Sequence, residues 1–169
     1  MIALGYEDLD LDPTLERIAV RAGVSVQTVL RHFGTRDALL AAAIETGQVE
    51  VEAERVTPDR DAVGALAALV AHYERRGPFA LEMLARERTD ARAAAVTTGG
   101  KHLHRRWVET VFADRLPGGD QRDALVDLLV VATDVYAWKL LHLDRALPAE
   151  TVVARMRTMT DAILASHRS

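Results

Sequence analysis

The amino-acid sequence predicts an all-α protein. Its apolar residues recur mainly at intervals of three and four, as they do on one face of an α-helix. Runs in which polar and apolar residues alternate, the pattern of a half-buried strand, are scarce. The 169 residues include only five prolines and ten glycines, so few positions interrupt long helices. Hydrophobic residues make up 49% of the chain, which is enough for a packed core.

Composition and charge exclude several kinds of site. The chain has no cysteine, so it forms neither disulfides nor thiolate metal sites. No run approaches the ~18 to 20 apolar residues of a membrane helix, and no basic-then-apolar signal segment opens the chain. We therefore expect a cytoplasmic protein without a membrane partner. The net charge is −4, so any nucleic-acid binding must come from a local basic patch.

Three helices are predicted before residue 57. Pro13 stands in the first turn of the first helix, and Gly23 ends that helix in the left-handed conformation. Ser25 is expected to cap the second helix, and Thr35 a third that runs to about Val56. The first helix has one stripe of residues that we expect to be buried: Leu15, Ile18, Ala19 and Ala22.

Helical spacing predicts five more segments, at about 63–76, 79–88, 90–116, 120–147 and 149–166. Gly77-Pro78 is expected to end the first of these, and Gly99-Gly100 to interrupt the third. The fourth contains ALVDLLVVATDVYAWKLLHL, which is apolar around most of its circumference. Such a helix usually buries two faces, so we expect its second face to pack against a partner subunit.

The segment from Thr14 to Phe33 has the layout of a helix-turn-helix, in which two short helices flank a glycine-containing turn. The second helix of such a motif presents hydrogen-bonding side chains to the bases of DNA. In GVSVQTVLRHF, residues 23–33, Val29 and Phe33 are expected to point inward. The outward side chains are of types that pair with bases or touch the thymine methyl group: Gln27, Thr28, Arg31 and His32.

Local charge agrees with this interpretation. Between Pro13 and Arg36 four arginines stand against Glu16, a formal charge of +3 in a chain that is acidic overall. A basic island of this kind is typical of a surface that attracts phosphate.

The sequence TLERIAVRAGVSVQTVLRHFGTRDALLAAAIE, from Thr14 to Glu45, resembles the DNA-binding signature of the TetR family of transcriptional regulators. The matching positions are Thr14, Ile18-Ala19, Ala22-Gly23-Val24-Ser25, Thr28, His32-Phe33, Arg36 and Leu39. The match is sharp over about a fifth of the chain, and the other helices agree with the family in length and layout.

The resemblance implies a helix-turn-helix DNA-binding domain at 1–48, followed by a helical ligand-binding and dimerisation domain at 49–169. Proteins of this kind are homodimers, usually repressors, that leave operator DNA when a small molecule binds. We therefore expect a homodimer formed through the last two helices, at about 120–147 and 149–166. The expected partners are double-stranded operator DNA and a hydrophobic effector, and no cofactor is expected.

The resemblance also implies roles for single residues. Thr14 would contact phosphate, and Ser25 would cap the recognition helix. Arg36, where the family usually has lysine, would clamp phosphate at the start of the next helix. The residues expected to face DNA are Val26, Gln27, Thr28, Arg31 and His32.

Two departures from the family pattern favour an alternative. Leu30 replaces the usual tyrosine, which removes a hydroxyl group that would bind phosphate. The helix expected before Gly5 is truncated, and an acidic run precedes Pro13: Glu7, Asp8, Asp10 and Asp12. The alternative is a helical dimeric ligand-binding or interaction module that has lost DNA binding. Steep salt dependence of DNA affinity would favour the regulator.

Six larger side chains in the second domain are candidates to line an effector pocket: Tyr73, Phe79, Met83, Trp107, Tyr136 and Trp138. Each is also compatible with a place in the core or, for the last two, in a dimer interface. Asp134 is interpreted as a solvated position at the edge of its helix, with contact to a ligand or partner as the alternative. His102 and His104 are two apart, a spacing that does not suit a helical metal pair. No motif of a hydrolase, a nucleotide-binding loop or a zinc protease is present, so we expect no enzymatic activity.

Overall fold

The computed structural model describes residues 12–56, 61–119 and 121–166, and every regular element in these ranges is a helix. The prediction of an all-α fold is thereby confirmed. The α-helices are α1 (Leu15–Ala22), α2 (Val26–Phe33), α3 (Arg36–Glu54), α4 (Ala62–Arg86), α5 (Ala91–Val111), α6 (Gln121–Thr133), α7 (Val135–Trp138) and α8 (Ala149–Ser166). A 3-10 helix at Ala113–Arg115 follows α5, and a π-helix at Lys139–Asp144 continues α7.

Part of the predicted chain lies outside the described residues. This holds for the helix expected before Gly5 and for the acidic positions Glu7, Asp8 and Asp10. Among the residues described, no helix combines the length and the hydropathy that crossing a membrane requires.

Local capping explains where the first three helices begin. The hydroxyl groups of Thr14, Ser25 and Thr35 accept hydrogen bonds from backbone N–H groups in the first turns of α1, α2 and α3, as N-caps do. Gly23 follows α1 with φ of 67°, in the left-handed region where glycine is unstrained. The predicted caps at Ser25 and Thr35 and the predicted stop at Gly23 are therefore confirmed.

Helices α1 to α3 enclose a small core of their own. It is built from Ile18, Ala19, Val29 and Leu39, all buried, with Leu15, Val26 and Phe33 packed against them. Helix α3 continues well beyond residue 48, so the predicted domain boundary falls inside one helix that joins the two parts of the fold.

The larger core lies between α4, α5, α6, α7 and α8. Leu66, Leu69 and Val70 of α4 are almost completely buried there, with Val126 and Leu129 of α6. Met156 of α8 belongs to the same cluster. Helix α4 packs against α5, α7 and α8, so it is the central element of this part.

The predicted helix end at Gly77-Pro78 is wrong. Helix α4 continues through both residues to Arg86. A Cβ atom at Gly77 would lie 2.5 Å from Cζ3 and 2.7 Å from Cη2 of Trp138, so glycine is needed for a close helix contact. Pro78 leaves the carbonyl of Glu74 without its helical donor, but Glu74 is exposed and water can replace that donor.

The predicted interruption at Gly99-Gly100 is also wrong, because α5 runs unbroken from Ala91 to Val111. Gly99 lies against α3, where a Cβ atom would overlap the side chain of Gln48. Its glycine is explained by this close approach of two helices rather than by a chain break.

The single helix predicted at 120–147 is divided at Asp134. Helix α6 ends at Thr133, and the Asp134 carboxylate accepts a hydrogen bond of 2.9 Å from the N–H group of Tyr136, which caps α7. The interpretation of Asp134 as a solvated edge residue is corrected, because its side chain is half-buried. Burial raises the pKa of this carboxyl group.

Candidate DNA-binding surface and effector cavity

Helix α2 has the two faces that the sequence predicts. Val29 is buried in the small core, and Phe33 packs against that core. Gln27, Arg31 and His32 are exposed, and the His32 ring stands edge-on against Phe33 at 4.6 Å. The helix therefore offers amide, guanidinium and imidazole groups to a partner on its outer side.

Cap contacts hold the beginning of α2. The Ser25 hydroxyl accepts the Thr28 N–H at 3.2 Å and lies 2.9 Å from the Thr28 hydroxyl. Val26 is half-buried beside the small core, so its side chain is only partly available to DNA. At the start of α1, the exposed Thr14 accepts the Arg17 N–H at 3.3 Å.

Arg36 lies at the first position of α3 and is bound within the protein. Its guanidinium donates to the Asp12 carboxylate at 2.6 Å and to the Pro13 carbonyl at 3.0 and 3.3 Å. These bonds fasten the segment before α1 to the start of α3. The phosphate contact expected of Arg36 stays a prediction, and its side chain is 30% exposed.

A second arginine reaches the same carboxylate from the other part of the fold. Arg92, in the first turn of α5, forms an ion pair with Asp12 and lies 3.4 Å from the Asp37 carboxylate. Asp12 is thus neutralised by two guanidinium groups and does not stand as an isolated acid beside α2. The sequence carried no local signal for this contact, because its partners are far apart in the chain.

A cavity of about 270 Å³ lies between α3, α4 and α5, next to the break at Asp134. Its walls are mainly apolar, as ligand pockets usually are. Ile44 and Val51 come from α3, Phe79 and Met83 from α4, and Val96 from α5.

Four of the six side chains predicted to line a pocket do line this cavity: Tyr73, Phe79, Met83 and Tyr136. The other two assignments are corrected. Trp138 is 1% exposed and packs in the larger core against Gly77 and Tyr73. Trp107 is also buried there, between His104 and Phe112. The helical spacing of aromatic residues is the same for a core position and for a pocket wall, so the sequence could not distinguish the two.

The sequence analysis did not identify the polar side chains that line the cavity, which are Arg55, His72, Arg76, Arg92, Lys101 and Asp134 among others. Arg55, just beyond the end of α3, is only 8% exposed. Burial lowers the pKa of its guanidinium group. In the sequence, a charged residue near a helix end is typical of a solvated position, so no pattern could have found it.

A chain of buried hydrogen bonds runs from Arg55 through His104 to Thr133. The Thr133 hydroxyl donates to the Leu129 carbonyl at 2.7 Å, so it accepts from His104 Nε2 at 3.1 Å. Nδ1 of His104 is then the acceptor that faces Arg55 Nη1 at 3.5 Å. Burial, followed by the charge of Arg55, lowers the pKa of His104 to about 3, so this imidazole is neutral at pH 7.

A second network joins α3 to α4. The Glu54 carboxylate accepts from Arg76 at 2.6 Å and from His72 at 2.7 Å. Burial opposes ionisation of Glu54, but these hydrogen bonds outweigh it and hold its pKa at about 2. Burial and the charge of Arg55 lower the pKa of His72 to about 4. His102 is exposed, and the part of the chain that is described contains no metal-binding group of three acidic or imidazole side chains.

An exposed apolar strip lies on α6, α7 and the π-helix. We use "apolar strip" for its five members: Leu128, Val131, Tyr136, Leu140 and Leu143, which are 47% to 69% exposed. Helix α8 turns Val152, Met156 and Leu164 into the larger core, and its other large apolar residues are half-buried.

Comparison with known families agrees with the geometry of α1 and α2. The model of the bacterial regulatory proteins of the TetR family matches residues 11–43, about a fifth of the chain. Comparisons with curated proteins and with solved structures produced no match. The matched segment contains the capped helix pair, the exposed face of α2 and the first turns of α3. Residues 11–43 are thus similar to the DNA-binding helix-turn-helix of TetR-family regulators, and this similarity supports a DNA-binding transcriptional regulator.

Proposed function

We propose that the protein is a homodimeric repressor that leaves its operator DNA when a small molecule fills the cavity. The observation that carries this proposal is the position of α3. This helix begins directly after the recognition helix α2, and one of its faces lines the cavity through Leu40, Ile44, Val51 and neighbouring residues. A ligand in the cavity therefore touches the element on which the DNA-binding part is mounted.

The mechanism is geometric. Two recognition helices of a dimer must lie ~34 to 36 Å apart to enter successive major grooves. A ligand that binds better to a shifted position of α3 changes this spacing, to the extent of its differential affinity for the two positions. Arg92, which also lines the cavity, supports the coupling because it pairs with Asp12 and Asp37 of the DNA-binding part.

The apolar strip supports the homodimer. Five exposed large apolar side chains on consecutive helical segments are typical of an interaction surface, and a twofold interface buries the same surface on both subunits. We propose that α6 and the π-helix form the centre of this interface, with α8 beside them.

Selection of genomic fragments by the purified protein tests the proposal. Fragments retained at low salt are sequenced, and the affinity for the enriched sequence is measured between ~50 and ~200 mM salt. The regulator requires an enriched sequence and an affinity that falls steeply with salt. No measurable binding at low salt would favour a helical ligand-binding or interaction module that has lost DNA binding. Compounds that release the retained DNA then identify the effector class.

A further inference from the structure

The cavity contains a buried cation that has no carboxylate in direct contact among the described residues. Arg55 lines the cavity and is 8% exposed. No carboxylate among the described residues lies within 4 Å of its guanidinium nitrogens, and Nε has no hydrogen-bond partner. Burying a charge is unfavourable unless it is paired and hydrogen-bonded.

The groups in direct contact with Arg55 carry no negative charge, and the carboxylates of Glu54 and Asp134 act on it only from beyond salt-bridge distance. His104 offers one lone pair to Nη1, and its own burial keeps it neutral. The Tyr73 ring lies 5.5 Å from the guanidinium carbon, and the Tyr73 hydroxyl donates to the Thr133 carbonyl at 3.1 Å. Asp134, the carboxylate among the described lining residues, caps α7 instead.

The other cations that line the cavity already have carboxylate partners. Arg76 is paired with Glu54, Arg92 with Asp12, and Lys101 with Glu87. The two other buried nitrogens without a partner in the described chain are the indole groups of Trp107 and Trp138, which lie in the core outside the cavity. Among the described arginine and lysine side chains that line the cavity, Arg55 is therefore the one without a direct carboxylate contact.

We propose that the effector is a small amphipathic anion whose carboxylate binds the guanidinium group of Arg55 where this side chain lines the cavity. Its hydrocarbon or aromatic body lies against Ile44, Val51, Phe79 and Met83 on the apolar walls. An arginine edge matches the two oxygens of a carboxylate, and charge-assisted bonds of this kind are strong when water is excluded. This inference rests on the proposed effector function and narrows it from a hydrophobic molecule to a hydrophobic carboxylate.

Matched pairs of probes test the charge requirement. Decanoate, 4-phenylbutyrate and 2-naphthoate are titrated into the free protein by calorimetry, each beside the neutral alcohol of the same skeleton. The carboxylate of at least one pair is expected to bind about tenfold or more tightly than its alcohol. If no carboxylate in the panel is preferred over its alcohol, the anion site is overturned.

Variants locate the preference. In Arg55→Met the carboxylate is expected to lose its advantage while the alcohol binds as before, because the methionine keeps the apolar volume. Lys101→Met is the control, because Lys101 also lines the cavity but is paired with Glu87 and more exposed. The ratio of carboxylate affinity to alcohol affinity in this variant is expected to stay within about twofold of the wild-type ratio. Equal losses in both variants would contradict a specific contact with Arg55. If Arg55→Met does not fold, Arg55→Gln takes its place, because glutamine removes the charge and keeps a hydrogen-bond donor; an acid preference that persists in it would overturn the contact with Arg55.

Release of operator DNA is measured separately with the same probes. If carboxylates bind through Arg55 but do not release DNA, the anion site is supported and the regulatory role is contradicted. If the alcohols release DNA at the same concentrations as the acids, the regulatory role is supported and the anion site is contradicted.

Discussion

Arg92 at the start of α5 forms an ion pair with Asp12, the residue that Arg36 also binds in front of α1. The pair connects a helix of the cavity wall directly to the helix-turn-helix. We expect Arg92→Gln to change the free energy of unfolding by less than about 1 kcal/mol, because solvent screens a pair whose side chains are 35% and 60% exposed.

The substitution Arg92→Gln should affect the coupling between effector binding and DNA binding more strongly than it affects stability. We expect the ratio of operator affinities without and with effector to fall severalfold in Arg92→Gln, as measured by fluorescence anisotropy. Arg88→Ala, at an exposed arginine close to the end of α4, is the control and should leave the ratio unchanged. An unaltered ratio in Arg92→Gln would show that the ion pair with Asp12 does not contribute to the effect of the effector on operator affinity.

Arg31 is exposed on the outer face of α2 and is a candidate to contact DNA bases. Loss of one good base contact weakens specific binding by about 1 to 3 kcal/mol. We therefore expect Arg31→Ala to lower operator affinity by about tenfold or more in a gel-shift assay, with the oligomeric state preserved. Arg106→Ala, at an exposed position of α5, should bind DNA normally. Normal binding by Arg31→Ala would contradict the role given to Arg31.

The apolar strip is expected to hold the dimer together. Replacing Val131 by glutamate places a charge in the proposed interface, where the same residue of the second subunit also lies. Sedimentation of Val131→Glu should show a monomer at concentrations that keep the wild type dimeric. Val49→Glu, at a similarly exposed valine of α3, is the control. Dimers that persist in both variants would place the interface elsewhere.

Two buried histidines predict a loss of stability in acid. The pKa values of His72 and His104 are lowered to about 4 and 3, below the ordinary value of 6.5. As the pH falls below 6.5, the unfolded chain binds protons at these residues while the folded protein does not. The free energy of unfolding should therefore decrease by up to about 1.4 kcal/mol per pH unit for each histidine, until their folded pKa values are reached.

Denaturant titrations at pH 7, 6 and 5 measure this slope. His104→Asn should reduce the slope, because one proton-uptake site of the unfolded chain is removed. His102→Asn, at an exposed histidine, should leave it unchanged. A stability that does not vary between pH 7 and pH 5 would disprove the burial of neutral imidazoles. Glu54, with its pKa held at about 2, extends the loss of stability below pH 4.5.

Gly77 is expected to be intolerant of any side chain because of the Trp138 ring. Gly77→Ala should lower the free energy of unfolding by about 1 to 3 kcal/mol through overpacking. Gly100→Ala is the matched helical control, since its Cβ atom meets no atom within 4 Å. It should raise stability by up to about 1 kcal/mol, because alanine favours a helix more than glycine does. Equal effects of the two substitutions would contradict the close contact of Gly77 with Trp138.

The helix-turn-helix could be predicted from the sequence because its determinants are local. The caps at Ser25 and Thr35 accept hydrogen bonds from the third residue that follows each of them, and Gly23 supplies the left-handed turn. Such contacts are made within one helical turn, so their residues are neighbours in the chain. The outward face of α2 follows from its helical period in the same way.

For residues of helices α4 to α8, burial and helix ends depend on which helices pack against each other. Gly77-Pro78 has the composition of a helix end, yet α4 continues because Gly77 must admit Trp138 from another helix. Trp138 and Phe79 are both aromatic, but Trp138 packs in the larger core and Phe79 lines the cavity.

The sequence by itself determined the helical class, the recognition helix and its caps, because periodicity and capping act over three or four residues. Only the tertiary structure decided that Asp134 divides a long apolar segment and that Arg55 is buried without a carboxylate in direct contact. The reason is physical: burial and pairing of a charged group are set by the helices packed around it, and those helices come from distant parts of the chain.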